Sequence, residues 1–227
     1  MPDIQGLTII IPVFDSSRTI ERALDSIALA VSTSKANVNQ IDTEVIVVFD
    51  GEDRTSLTIV EGIAPNFPVP LEVAQKSHSG VSATRNLGLK LARTSHVTFL
   101  DADDEITAER LRLACRDVDA LYVGQQRVVY DTESPRPAGI QKDSSQPTPN
   151  FTSVVAPTEL LIGLGGFDPM MDYGADIDLV IRARDGGHTV TIVDDITTIR
   201  HITGRNASLA THLATRDFFL SLRKRQI

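Results

Sequence analysis

The chain has little of what would mark a secreted, membrane-spanning or nucleic-acid-binding protein. Its single cysteine, Cys115, leaves no internal disulfide to form, and nothing else marks a secreted chain. Cys115 follows Leu111, Leu113 and Ala114 in an apolar helical pattern, which predicts a small core residue. Basic charge is scarce: 22 Lys and Arg stand against 30 Asp and Glu, a net charge of −8, and this argues against a nucleic-acid surface. No apolar run approaches the roughly 20 residues of a membrane span. The opening MPDIQGLTII has no basic stretch of the kind a secretory leader carries. A cytoplasmic location is therefore expected, where the sequons NFT and NAS would meet no glycosylation machinery. The terminal RKRQI reads as a solvated helix end and leaves peripheral membrane contact open. No internal repeat is visible.

What is present is a core. Hydrophobic residues make up 41% of the 227 and charged residues 23%, enough for one α/β domain. LTIIIPVF (7–14), EVIVVFDG (44–51), PLEVAQK (70–76) and HVTFLDADD (96–104) read as buried strands. Between them, Ile20, Ala23, Leu24, Ile27 and Val31 fall at helical spacing, with Ser16 and Ser17 as caps. GVSATRNLGLKLARTS (80–95) reads as a second helix with Leu87 and Leu91 inward. This alternation predicts a mostly parallel, Rossmann-like sheet flanked by helices.

The second half is less regular. A strand is expected at 120–131, a short helix at 157–163 and a helix at 176–187 with Ile177, Val180 and Ile181 on one face. An extended stretch should follow at 188–201, with Asp194 and Asp195 in a solvated turn, and an amphipathic helix at 207–225. The Pro- and Ser-rich 132–150 reads as a mobile loop, a lid or acceptor gate.

Ligands of such sheets bind beyond the carboxyl ends of the strands. Three strand ends there are acidic: Asp15, Asp50 and the run Asp101–Ala102–Asp103, which continues into Asp104 and Glu105. Two carboxylates spaced Asp-X-Asp suit a hard divalent cation, Mn²⁺ or Mg²⁺, shared with a substrate's phosphates. A blander reading sets Asp103, Asp104 and Glu105 at a helix N-terminus, offsetting its dipole.

The blocks TIIIPVF…RTIERALDSI, EVIVVFDGEDRTS, GVSATRNLGLKLA, VTFLDADD and LGGFDPMMDYGADIDLVIRARDGGHTV stand in an order that resembles the family 2 glycosyltransferases, the large inverting GT-A group. The resemblance spans about residues 7–201. It implies one GT-A catalytic domain over 1–227, with a nucleotide-sugar-binding half (1–104) and an acceptor-binding half (105–227). It implies transfer of a sugar from a nucleoside diphosphate, UDP in most of the family, to an acceptor hydroxyl with inversion. Pro12, Val13, Phe14 and Asp15 would lie along the base and ribose, and Asp50 would hold the base. Arg85 and Asn86 would lie near the nucleotide and first sugar. Asp101, Ala102 and Asp103 would form the metal- and diphosphate-binding motif, with His201 as a further metal ligand. Asp176 would be the catalytic base. The acceptor stays open: a glycan, a lipid-linked molecule or a small molecule.

Four positions depart from the family pattern. Glu52 replaces a small polar residue after Gly51, and Thr84 replaces an alanine before Arg85, a mild change. Phe49 replaces an acid before Asp50, and Ala175 replaces the first acid of a Glu-Asp pair. They keep alternative readings alive: an inactive relative that only binds, and, more remotely, a nucleotidyltransferase, although PVFDSSRTI lacks a glycine-rich basic loop. A glycosidase would also need paired acids, but not a nucleotide-shaped sheet edge. Each residue also has a structural alternative. Asp176 could cap its helix, with Asp178 as the second choice of base. Asp50 could serve a turn, Arg85 could pair with acids, and His201 could be structural.

Overall fold

A computed structural model describes residues 4–35, 41–116, 119–130, 148–171 and 174–202. The expected loop at 132–150, apart from its last three residues, and the helix at 207–225 lie outside the described residues, as does the basic tail.

The first half begins with β1 (Ile4–Val13), α1 (Ile20–Lys35) and β2 (Asp42–Asp50), followed by α2 (Arg54–Ile63) and β3 (Leu71–Lys76). It closes with α3 (Val81–Leu91) and β4 (Thr94–Phe99). These four strands pair in parallel in the order β3-β2-β1-β4. Side chains alternate across a strand, and the continuous apolar runs of β1 and β2 bury both sets. Leu7, Ile9, Ile11 and Val13 join Val45, Val47 and Phe49 against Ile20, Leu24 and Ile27 of α1. Ile10, Ile46 and Val48 join Leu89 of α3 on the other face. Each fully buried Ile or Leu contributes about 1.5–3 kcal/mol.

The sequence pattern passed over α2. Its residues TSLTIV are rich in β-branched side chains, which mask the helical period. The helix is fixed instead by its cap: the Asp53 side chain accepts from the Ser56 amide at 3.0 Å and the Ser56 hydroxyl at 2.5 Å.

The second half adds β5 (Glu105–Ile106), α4 (Ala108–Leu113), β6 (Leu121–Tyr130), β7 (Thr148–Pro149) and β8 (Val155–Pro157). Then come α5 (Thr158–Gly163), α6 (Ala175–Asp185) and β9 (Val190–Ile202). The same sheet continues β4-β8-β6-β9-β5, with β7 on β6. Here β6 and β9 run parallel, while β8 and β5 pair antiparallel with their neighbours.

Several expectations are corrected here. Cys115 is exposed, because α4 ends at Leu113 and its period does not reach residue 115. Asp194 and Asp195 lie within β9, next to a register shift against β6, and Asp195 pairs with Arg116 at 3.1 Å. On α6 the inward face is Ala175, Asp178, Leu179, Val180 and Ala183, while Ile177 is 45% exposed. The helix is rotated from the expected stripe, with Asp178 inward and Arg182 bound to the carbonyls of Leu164 and Gly166.

At the amino ends of the strands a buried carboxylate locks β2 to the start of β4. Glu44 accepts from Thr8 Oγ1 at 2.7 Å and from the Arg93 amide at 2.9 Å, and it pairs with the Arg93 guanidinium at 2.8 Å. At the opposite end, α3 lies so close to β1 that a Cβ on Gly88 would come 2.3 Å from Ile10 Cγ2. Gly88→Ala should therefore lower stability by about 1–3 kcal/mol through overpacking, read as a lower urea midpoint with an unchanged slope.

Candidate active site

The carboxyl ends of β2, β1 and β4 lie side by side, so the expected acidic residues share one edge of the sheet. Each is held differently. Asp50 is 5% exposed. It accepts from Lys76 Nζ at 2.7 Å and from the amides of Ser79 and Gly80 at 2.8 and 2.9 Å, and His78 Nδ1 lies 3.0 Å away. Burial opposes ionisation, but the lysine and the two amides outweigh it and hold the carboxyl below its ordinary range. Asp50 thus organises the 76–80 loop.

Beside it, Pro12 and Val13 end β1, and Phe14 projects outward, 61% exposed. The Phe14 ring lies against the His78 ring at 4.7 Å. Asp15 takes a positive φ of 48°, a left-handed turn that aspartate tolerates. That turn brings the Ser16 amide within 3.1 Å of Asp53, the cap of α2.

The 101–105 cluster is the centre of charge. A turn closes it, with the Asp104 amide donating to the Asp101 carbonyl at 3.0 Å. Arg85, 6% exposed, reaches from α3 to Asp101 at 2.6 Å and lies 5.3 Å over the Phe167 ring. Arg22 of α1 donates to the Asp103 carbonyl at 2.6 Å. Ala102 is buried beneath. Burial, and then the neighbouring Asp101 charge, push the Asp103 carboxyl above its ordinary range. Burial together with Asp101 and Asp103 push Asp104 up further.

Asp104 and Glu105 do not start a helix. Thr107 is the N-terminal boundary of α4, and Glu105 lies in β5. Asp104 instead accepts the His201 amide at 3.0 Å, and Glu105 meets His201 Nε2 at 2.6 Å. Below them lies a residue the sequence pattern did not single out. Arg110 is 1% exposed and donates to the Phe99 carbonyl at 2.8 Å, the Thr197 carbonyl at 3.1 Å and Thr198 Oγ1. Burial draws its pKa down to about 9 against the opposing pull of Asp104 and Asp101, so it stays charged at neutral pH. An arginine on a short helix looks solvent-facing in sequence, and only the long-range fold reveals a buried one.

Across the sheet, Asp176 stands in the first turn of α6, where Gly174 rather than an acid occupies the cap position. Thr152 Oγ1 donates to Asp176 Oδ2 at 2.9 Å. Asp178 is 5% exposed and bound to Arg182 at 2.8 Å, which commits it to structure. Asn86 uses both ends of its amide on Phe167, donating to its carbonyl at 2.7 Å and accepting its amide at 2.8 Å.

Among the described residues, no three His, Cys, Asp or Glu side chains form a cage that would hold a metal alone. Asp101 and Asp103 nevertheless suit a magnesium-like ion. They are hard oxygen donors crowded enough to repel, and such ions commonly take one or two protein carboxylates and complete their shell with phosphates and water.

The Asp50 arrangement carries a stability prediction. A carboxyl lowered by folding stabilises above its unfolded pKa of about 4, and that contribution fades as pH falls through the folded value. Asp50→Asn should cost about 1–3 kcal/mol at neutral pH. Urea unfolding at neutral and strongly acidic pH should show the gap between variant and wild type narrowing in acid.

The chain matches the model of glycosyl transferase family 2 over residues 8–159. It is 28% identical over 100 residues to an uncharacterized glycosyltransferase, YibD, of Escherichia coli, covering 44% of this chain and 26% of that protein. It is 30% identical over 112 residues to the poly(ribitol-phosphate) beta-N-acetylglucosaminyltransferase TarS of Staphylococcus aureus, covering 49% of this chain and 18% of TarS. The crystal structure of S. aureus TarS 1–349 in complex with UDP-GlcNAc superposes with a TM-score of 0.70 at 21% identity, covering 96% of this chain and 65% of that one. The chain thus spans only part of the length of these relatives. The matched region contains β2, β1 and β4 with the acidic edge between them, and the superposed architecture is the GT-A fold. This chain belongs to glycosyl transferase family 2.

Proposed function

We propose that the chain transfers a sugar from a nucleoside-diphosphate donor, UDP-linked, to an acceptor hydroxyl in one inverting displacement. The observation that carries this reading is the Asp101–Ala102–Asp103 turn at the end of a central parallel strand. Its carboxylates are crowded, and the Asp103 carboxyl is raised by burial and the Asp101 charge. Such a site gains by meeting a cation. The UDP and UDP-GlcNAc complexes of the TarS fragment, which shares this fold, support a nucleotide-sugar donor.

Pro12 and Phe14, joined by the main chain of Val13, whose side chain is in the core, offer a wall for base and ribose, with the exposed Phe14–His78 ring pair at its rim. Asp15 lies alongside, and Asp50 shapes the floor through the 76–80 loop. Asp101 and Asp103 would hold Mn²⁺ or Mg²⁺, which when bound neutralises charge on the leaving diphosphate. His201 stands beside the cluster with its ring on Glu105. Arg85 supplies fixed positive charge at the same place.

Asp176 is the base. Thr152 holds Oδ2, which leaves Oδ1 to take the proton from the acceptor hydroxyl. The oxygen lone pair forms the new bond to the anomeric carbon as the bond to the diphosphate oxygen breaks. That electron pair departs with the nucleoside diphosphate. Attack opposite the leaving group inverts the centre, and no covalent enzyme intermediate forms.

Phe49 and Ala175, two of the departures from the family pattern, are core residues, 1% and 4% exposed. Among the described residues, no helix is long and apolar enough to cross a membrane.

Calorimetric titration with UDP tests the reading. Binding should require Mn²⁺, vanish with EDTA and weaken by at least about tenfold in Asp103→Ala, the loss of one charged ligand. Failure of UDP and of the other nucleoside diphosphates would sink the donor assignment. Because protons compete for a raised carboxyl, Mn²⁺-dependent affinity should begin to fall on acidification at a higher pH than an unshifted aspartate would give. Asp176→Asn should leave UDP affinity unchanged and slow sugar transfer by about 100-fold or more.

A further inference from the structure

The turn that precedes α6 is gripped from both sides. Leu164 and Gly166 offer their carbonyls to Arg182 of α6, at 2.7 Å each. Arg182 is itself held by Asp178 at 2.8 Å. From the donor side, Asn86 of α3 clamps the amide and carbonyl of Phe167, the next residue. The geometry leaves almost no slack. Gly165 and Gly166 have φ of 81° and 70°, and a Cβ on Gly166 would lie 2.3 Å from Asn86 Oδ1. The Phe167 ring is equally fixed, edge-on to Phe99 at 4.8 Å and beneath the guanidinium of Arg85, which pairs with Asp101.

We infer that Asn86 is a positioning residue rather than a nucleotide contact. With Arg182, it ties the helix bearing Asp176 to the helix that supports Asp101, and so sets the base against the donor. Its amide oxygen and amide nitrogen are both engaged with the Phe167 main chain, which leaves one amide proton and one oxygen lone pair for anything else. A ligand that used the amide at full strength would have to break a part-buried pair of hydrogen bonds. The tie joins residues 81 positions apart in the chain through the Phe167 main chain, so it fixes backbone position and not merely side-chain orientation. The functional meaning of the tie rests on the donor and base assignments above.

Asn86→Asp keeps the shape and the acceptor but removes the donor to the Phe167 carbonyl. Hydrogen–deuterium exchange without any ligand should rise about tenfold in 164–167 and α6, with β1 and β2 unchanged. UDP–Mn²⁺ affinity should stay within about twofold of wild type. In UDP-GlcNAc hydrolysis kcat should fall by about tenfold or more with donor KM unchanged, the signature of a misplaced base. Unchanged exchange in α6 would overturn the tie, and a loss of UDP affinity with α6 intact would make Asn86 a nucleotide contact. If both change, Arg182→Lys decides. It loosens the same turn from the α6 side, and the tie requires faster α6 exchange with UDP affinity retained; anything else overturns it. A wild type that binds no UDP would defeat the donor assignment, while the ligand-free exchange comparison would still support or overturn the tie.

Discussion

Negative charge crowded into residues 101–105 is the constraint around which this fold is arranged. Four carboxylates in one short turn repel strongly in a partly desolvated setting. Three elements supply partners to this turn. Arg85 comes from α3 to Asp101, and Arg22 comes from α1 to the Asp103 carbonyl. The His201 amide comes from β9 to Asp104, and the His201 ring to Glu105. Arg110 supplies charge from below, bound to the ends of β4 and β9. The cluster therefore organises the meeting of both halves of the chain while keeping a deficit of positive charge at its exposed rim.

That compensation is uneven in a useful way. Asp104 is deep, tied to a main-chain amide and raised furthest, so it serves the framework. Asp101 is 37% exposed on its side chain and is paired with the buried guanidinium of Arg85. Depth within a single turn separates a framework carboxylate from one that faces solvent. The same division recurs on α6, where Asp178 is consumed by Arg182 while Asp176, two residues earlier, keeps a light hold on Thr152.

The sheet was legible because β1 and β2 are buried on both faces, which writes continuous apolar runs into the sequence. The strand-end acids were legible because acids directly after such runs are unusual. What escaped was decided at long range. The helix α2 was hidden by β-branched residues and revealed only by its Asp53 cap. Arg110 looked like a surface residue on a short helix, and its burial depends on carbonyls some 90 positions away in β9. The helical period around Cys115 was real but stopped one turn too soon. Order and spacing singled out the candidate site residues as a set, yet their partners were not legible: nothing local in the sequence announces that Asn86 faces Phe167 or that Asp50 gathers the 76–80 loop.

The strand β9 has a consequence beyond bringing His201 to the acids. It is hydrogen-bonded to β6 along one side and to β5 along the other. A strand held on both edges cannot slide by a fraction of a residue. It can only jump by whole ladder steps, and a single step would turn every side chain to the opposite face. The position of the His201 amide beside Asp104 is therefore set by the register of the sheet and not by a local choice of rotamer in β9.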